Sequence, residues 1–417
     1  MQILFCGIDF GTSNSTVALA DANRAWLVAL EDADVTLPSA VFWESDGAAP
    51  EFGRAAIAAY VRGDDGRLMR GLKSTLGSSL IDEKTRVGNR AVSFKDVVAR
   101  FFGRMVVPLR AAAGPVSRVV LGRPVHFVDD DAPGDAKAQA VLHEIARSHG
   151  FDEVEFQFEP IAAALQYEQS VSGEELVLIV DIGGGTSDFS IVRVSPARAR
   201  GADRAGDILA NDGCRIGGTD FDRLLSLGSV MPHLGYKTTT QGGKGLMPNH
   251  YFLDLATWHK INMLYTQRCA TDLKGLRHMA DHPEVLDRLI RVVNQRSGHS
   301  LAMAVEAAKI ALSSAQATRL ALSEFTGGPN PVVTRAEFDQ SVGVPMQRIS
   351  AMLGSVLAQA GVQARDIGTV FMTGGSSGLP IMRTIVQAAL PGVTIATGDM
   401  LGSVGTGLAL DARRKFG

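Results

Sequence analysis

Two stretches of this sequence say nearly the same thing. Near the N-terminus the chain reads IDFGTSNSTVAL (8–19), and in its middle VDIGGGTSDFSIV (180–192). Each sets an aspartate (Asp9, Asp181) at the end of an apolar run, then glycine, then Thr-Ser, then a second run of strand formers. Continuous apolar runs read as buried strands, and alternating β-branched ones as half-buried strands. Ile3–Ile8 and Ser15–Ala20 therefore predict one hairpin, and Leu176–Val180 with Asp188–Val194 a second. A dinucleotide fingerprint would lead from strand to helix instead. A chain that repeats such a hairpin is expected to build two similar lobes.

The chemistry of such a turn is specific. Glycine lets the backbone approach a ligand, and successive N–H groups form an anion-binding nest. The Thr and Ser hydroxyls add donors. Asp9 and Asp181 would repel a phosphate unless a hydrated Mg²⁺ lay between, since that ion binds through a few carboxylates and phosphate oxygens. The pair of turns thus points to one polyphosphate held between two lobes. Either turn alone reads equally well as a tight β-turn.

Other signals close off alternatives. GGSSG (374–378) fits a serine nucleophile elbow, but no histidine follows it to act as base. His143-Glu144 lacks the second histidine of a zinc helix, Arg147 standing there, and His278 with His282 reads as a surface pair. No Walker-type P-loop is present. A net charge of −3 gives no footprint for nucleic acid. No apolar run approaches the roughly 18 residues of a membrane helix, and Asp9 interrupts the N-terminus too early for a signal peptide. Cys6, Cys214 and Cys269 are odd in number and far apart, so buried thiols in a cytoplasmic protein are expected. A membrane or nucleic-acid partner is not expected.

Further along, Thr369–Thr373 predicts a strand ending in Gly374-Gly375-Ser376, with Pro380 placed for the first turn of a helix. Val393–Thr397 predicts another strand, leading to Gly398-Asp399, and 402–410 a closely packed last helix. Residues 301–325, alanine-rich without glycine or proline, predict one long helix, on which Glu306, Lys309 and Ser313 form a polar stripe. By itself that stripe reads as a solvated face.

As a set these parts resemble the ATPase domain of the DnaK-type 70-kDa heat-shock chaperones, within the actin-like ATPase superfamily. Besides the two hairpins, FEPIAAALQYE (158–168), GCRIGGTDFD (213–222), VEAAKIALSSA (305–315) and MTGGSSGLP (372–380) occur in the family's order. KSTLG, LGRPVHF, FQFEP and GCRIGGTD are most similar to its YegD-like branch. The resemblance implies an α/β fold of actin-like type: two lobes, each a mixed sheet flanked by helices, with a nucleotide cleft between them. It places lobe I at 1–174 with a peripheral subdomain at 38–115, lobe II at 175–394 with a peripheral subdomain at 224–310, and at 395–417 a C-terminal helix returning to lobe I.

The resemblance also implies site residues. Asp9 and Asp181 would hold hydrated Mg²⁺; Gly11, Thr12, Ser13, Gly183, Gly184, Gly185 and Thr186 would meet the phosphates of ATP or ADP. Lys73 aligns with the family's catalytic lysine, Glu159 with the glutamate near the attacking water, and Asp188 with a second water-orienting carboxylate; Thr186 joins this catalytic set. Gly217, Gly218, Glu306, Lys309, Ser313, Gly374, Gly375, Ser376 and Asp399 align with nucleotide contacts. Three departures stand out. Ile310 and Gly378 occupy positions where arginines would sandwich the adenine, so weak base selectivity is expected. No peptide-binding domain is expected, since the family motifs run close to Gly417, and a client or other protein partner stays undefined. Residues 225–300 match the family poorly; 233–252 read as loop-like, and the region reads as a surface insertion or, alternatively, as the mark of a different partner. A weak Mg²⁺-dependent ATPase is the expected activity, with a possible place in protein folding. A small-molecule kinase of the same superfamily and a non-enzymatic nucleotide sensor or filament module remain alternatives.

Overall fold

The computed structural model describes residues 3–46, 49–87, 90–201 and 204–417. The chain forms two compact units: Met1–Gly218 with Arg348–Gly378 and Met382–Gly417, and Thr219–Gln347 with Leu379–Ile381.

The first unit contains both glycine hairpins, each at the heart of a mixed sheet. In the first sheet Phe5–Asp9 pairs antiparallel with Asn14–Ala20, which passes to Ala25–Leu27 and Thr36–Pro38; on its other side Phe5–Asp9 runs parallel to Arg118–Arg123, and that strand to Glu153–Phe158. In the second sheet Glu175–Ile182 pairs antiparallel with Ser187–Val194 and that strand with Ile208–Cys214, while Thr369–Thr373 and then Thr394–Thr397 continue in parallel on the other side. The five strands of the second sheet match five of the first in order and direction, and Thr36–Pro38 is a sixth strand that the first sheet has in addition. The duplication expected from two short motifs extends through these five strands.

Two helices fill the space between these sheets. Ser403–Phe416 packs on Phe5–Asp9, Asn14–Ala20 and Arg118–Arg123, Glu159–Tyr167 packs on the hairpin of the second sheet, and the helices pack on each other. Their contact requires small residues. A Cβ on Gly407 would fall 1.8 Å from the carbonyl oxygen of Ala162, a backbone atom that cannot give way. Val120, Ile161, Val177, Ile179, Phe371 and Leu408 close this layer into one apolar core. Helices Phe94–Ala113 and Ala132–Ser148 contribute to a separate core on the first sheet's outer face. Ser93 caps the former and Asp131 the latter, each accepting a backbone N–H of the first turn.

The second unit is mainly helical, with Gln267–Met279, Pro283–Asn294 and Gly298–Leu312 its longest complete helices. The last of these is shorter than the helix expected over 301–325. Arg335 explains the stop: its guanidinium takes the carbonyls of Leu312 and Ala315, which a continuing helix would have used itself. The chain is then free to enter a strand, Ala317–Arg319, paired with Val332–Thr334. Within 233–252, read as loop-like, a two-residue ladder, Thr239–Thr240 with Gly245–Leu246, is tied down by Asp281, whose carboxylate accepts the amides of Gly242 and Gly243 at 2.7 and 2.9 Å. No helix among the described residues is long and apolar enough to cross a membrane.

Candidate nucleotide-binding and active site

The strand ends of the first unit bring Asp9, Glu159, Asp181 and Asp188 around one ammonium, that of Lys73. Asp9 is the last residue of its strand. Asp181 faces Asp188 directly across the second hairpin, in register, where like charges weaken a β ladder. Glu159 opens its helix, and the N-terminal dipole favours a negative charge there. Lys73 arrives from elsewhere in the chain. After strand Gly66–Arg70, Gly71 takes a left-handed turn (φ 66°), buried Leu72 anchors a single 3₁₀ turn over Leu72–Thr75, and Lys73 is sent inward to pair with Glu159.

The electrostatics of this cluster are strained. Burial, and then the Glu159 carboxylate, push Asp9 up to about 7 against the pull of Lys73. Burial and Glu159 push Asp188 up to about 7 as well, opposed by the Val125 amide, the Thr186 hydroxyl and Lys73. Asp181 lies well above its ordinary range through burial and the charges of Glu159, Asp188 and Asp9. Burial disfavours the Lys73 ammonium, yet Glu159, Asp9 and Asp188 outweigh that and hold its pKa above the usual value. One cation among three buried carboxyl groups and the half-buried Asp9 leaves room for more positive charge.

The oxygen-only donor set suits a hard divalent cation such as Mg²⁺. Among the described residues no three acidic, histidine or cysteine side chains converge closely enough to ligate a metal directly. Asp188 is divided in its duties. Its Oδ1 accepts the Val125 amide at 2.8 Å, while its Oδ2 is buried without a hydrogen-bond partner.

The two glycine turns meet face to face beside this cluster. A Cβ on Gly184 would lie 2.1 Å from Ser13 Oγ, and one on Gly185 2.9 Å from Thr12 Oγ1. Gly217 presses against the Gly185 amide from behind, where a Cβ would sit 2.5 Å away, and the Gly218 amide donates to the Gly183 carbonyl at 3.0 Å. Gly11 is fixed from both sides: its amide donates to Ser15 Oγ and its carbonyl accepts Ser39 Oγ–H. The amides of Thr12, Ser13 and Gly185 have no hydrogen-bond acceptor among the described residues, leaving donors for an anion.

The remaining residues expected in the site fall into two groups. Gly374, Gly375, Ser376 and Asp399 belong to the first unit. A Cβ on Gly374 would lie 2.5 Å from Asp181 Oδ1, Ser376 donates its amide to Ile182, and the Gly374 amide reaches the Met400 carbonyl. Asp399 spends its carboxylate on the Leu401 amide and its carbonyl on Ser403, so it organises the start of the last helix. Glu306, Lys309 and Ser313 lie in the second unit, Ser313 as the residue closing its helix. There Lys309 is buried and paired with Asp222 at 2.9 Å. This pair joins two motifs, GGTDFD and AAKIALSS, and Asp222 was not singled out in the sequence. Ile310 is 62% exposed, and Gly378 faces the Met400 thioether, so neither site supplies a guanidinium.

Sequence reasoning also passed over Gly122, Arg123 and Val125, in LGRPVHF. Gly122 lets Asp9 and Glu159 come near its Cα, and Val125 holds Asp188. Behind Asp188 lies a cleft of about 1460 Å³, bordered by Arg123, His126, Asp129, Phe158, Asp212 and Arg348. It is separate from the phosphate turns, and its walls include the edge strands of both sheets.

Two mixed sheets of one topology, each ending its central hairpin in a glycine turn beside an acidic residue, define the actin-like ATPase fold. The Hsp70 protein family model matches residues 84–227 and 276–397, and this chain belongs to that family. It is 26% identical over 434 residues to the chaperone protein HscA of Citrobacter koseri and 27% identical over 436 residues to that of Serratia proteamaculans, with 98% of this chain covered in each case. The HscA of Shigella boydii is 25% identical over 434 residues. The chain spans 58% of the length of these relatives.

Proposed function

We propose that this chain is a magnesium-dependent ATPase whose nucleotide cycle serves a chaperone function. The observation that carries the reading is the strained carboxylate cluster around Lys73, set against two facing glycine turns. In this reading Asp9 and Asp181 hold hydrated Mg²⁺, which neutralises phosphate charge when bound. The free amides at Thr12, Ser13 and Gly185 and the hydroxyls of Thr12, Ser13 and Thr186 bind the phosphates. Lys73 gives the γ-phosphate a point charge. Glu159 and Asp188 orient the attacking water, and Asp188 Oδ2 takes a hydrogen bond from it. With its pKa pushed up to about 7, Asp188 can hold or release a proton near neutral pH. Water adds to the γ-phosphorus, the bond to the β-phosphate oxygen breaks, and ADP and phosphate leave. Positioning and charge neutralisation suffice for such a reaction.

In the first unit Gly374, Gly375, Ser376 and Asp399 are assigned to the nucleoside, and Gly183, Gly184, Gly217 and Gly218 shape the phosphate turns; for Glu306, Lys309 and Ser313, in the second unit, a nucleotide contact is supported by the family resemblance alone. The chaperone role, with protein clients and helper proteins as partners, is supported by the name of the HscA relatives and by family membership. A reducing, cytoplasmic setting agrees with three buried, unpaired cysteines. The test is calorimetry of Mg²⁺-ADP binding alongside phosphate release from ATP. Tight binding and slow release, both lost in EDTA, are expected; no heat with either nucleotide refutes the reading.

A further inference from the structure

Arg123 touches neither phosphate turn nor any of the four carboxylates, yet two of those carboxylates lead back to it. It ends strand Arg118–Arg123, where its register partner is Phe158, the residue before Glu159. Its guanidinium lies over two rings, 5.1 Å from the centre of Phe158 and 5.2 Å from that of Phe127. In its own plane it donates to the carbonyls of Pro124 and Val125 at 3.1 and 3.0 Å, to Asp135, and to Gln139. Asp135 in turn accepts the Phe127 amide. The guanidinium is thus held by two rings and by acceptors along its edges, with 13% of the side chain exposed.

The consequence lies one bond further on. Val125 is held at its carbonyl by Arg123, and its amide holds Asp188 Oδ1. That leaves Oδ2 aimed by the remaining rotation of the carboxyl. Phe158, stacked on the same guanidinium, sets where the helix of Glu159 begins. We propose that Arg123 is a positioning residue for hydrolysis: one rigid planar cation fixes Asp188 through Val125 and Glu159 through Phe158. A lysine cannot replace it, because a point charge on a flexible stem offers neither a plane for two rings nor a fork for several acceptors. The inference rests on the ATPase reading above.

The full chain is tested as Arg123→Met, Arg123→Lys and Phe158→Leu, with kcat, KM and the Kd for Mg²⁺-ADP measured on each. Displacing groups that orient a reacting water by about 1 Å costs on the order of 100-fold, so kcat is expected to fall about 10- to 100-fold in Arg123→Met. KM and Kd should stay within about threefold, since Lys73 and the turns are untouched; a merely structural arginine would move all three together. Arg123→Lys should remain as slow as Arg123→Met, and Phe158→Leu should lose several-fold in kcat alone. Unchanged kcat in any folded variant, or recovery of kcat by lysine, overturns the proposal. If both Arg123 variants fail to fold, Phe158→Leu decides: full kcat there overturns it, and a selective loss upholds it. A wild-type chain that binds Mg²⁺-ADP without ever releasing phosphate refutes the ATPase reading, and this inference with it.

Discussion

Replacing Asp188 by asparagine is expected to stabilise the ligand-free protein while abolishing turnover, and the stabilisation should grow with pH. Asp188 is 1% exposed, and its pKa rises from an ordinary 3.8 to about 7 in the fold. Between those values the folded state keeps a proton that the unfolded chain has lost. A carboxyl raised in this way favours folding least at high pH: its penalty is absent below 3.8, grows as pH rises, and levels off above about 7. Each pH unit in that window is worth about 1.4 kcal/mol. Asparagine carries no titrating proton and keeps an amide oxygen for the Val125 N–H. The stability difference between Asp188→Asn and wild type should therefore widen by about 2–3 kcal/mol from pH 5 to pH 8.

Neighbouring groups reinforce the sign. Removing one negative charge also eases Asp181, whose raised pKa owes part of its shift to Asp188. The assay is thermal unfolding in EDTA at both pH values, where the widening corresponds to a gap larger by a few degrees at pH 8. Phosphate release by the variant should fall by about 10²–10⁴. A stability difference that is constant across pH, or that shrinks as pH rises, refutes the argument that these carboxylates are strained.

Other expectations follow from the same geometry. Lys73→Ala should abolish phosphate release while Mg²⁺-ADP binding measured by calorimetry stays within about tenfold, because the aspartates proposed to hold the metal and the nest of amides remain; unaltered hydrolysis contradicts the role proposed for the lysine. Gly184→Ala places a methyl group 2.1 Å from Ser13 Oγ and should weaken ATP binding by about tenfold or more, measured by calorimetry with Mg²⁺ present. Binding at the wild-type affinity would show that the two turns do not constrain each other.

How much of this could be read in the sequence depends on how local the cause is. The twin hairpins were legible because glycine, aspartate and Thr-Ser sit within a few residues, and the strand order on either side of them follows the same duplication. Thr369–Thr373 was legible to the residue because it is a short buried run bounded by glycine. The helix over 301–325 was overextended because its stop is imposed from outside, by Arg335 acting on the carbonyls of Leu312 and Ala315. Asp222 and Arg123 were passed over for the same reason. Each looks like an ordinary charged residue until folding brings Lys309 to one and Phe158, Asp135 and Gln139 to the other. Lys73 drew attention only through the resemblance of KSTLG to a family motif; nothing in its neighbours foretells Glu159.

The strain in the ligand-free site is itself an argument about mechanism. Three buried carboxyl groups and the half-buried Asp9 facing one ammonium are a poor way to stabilise a fold, since a buried charge without a partner costs several kcal/mol. A fold that only had to be stable would do better with an amide at Asp188 and an apolar residue at Asp181. A nucleotide can shift a conformational equilibrium only by binding one state more tightly than another. A cluster that disfavours its own ionised, metal-free form supplies such a difference, because a divalent cation relieves the carboxylates only where they stand together. Their elements are separate: Asp9 on the first sheet, Asp181 and Asp188 on the second, Glu159 on a helix between them and Lys73 on a turn outside both. Binding that rewards their convergence rewards one arrangement of those elements over others, and in the proposed reaction loss of the γ-phosphate contact that we assign to Lys73 would withdraw part of that reward.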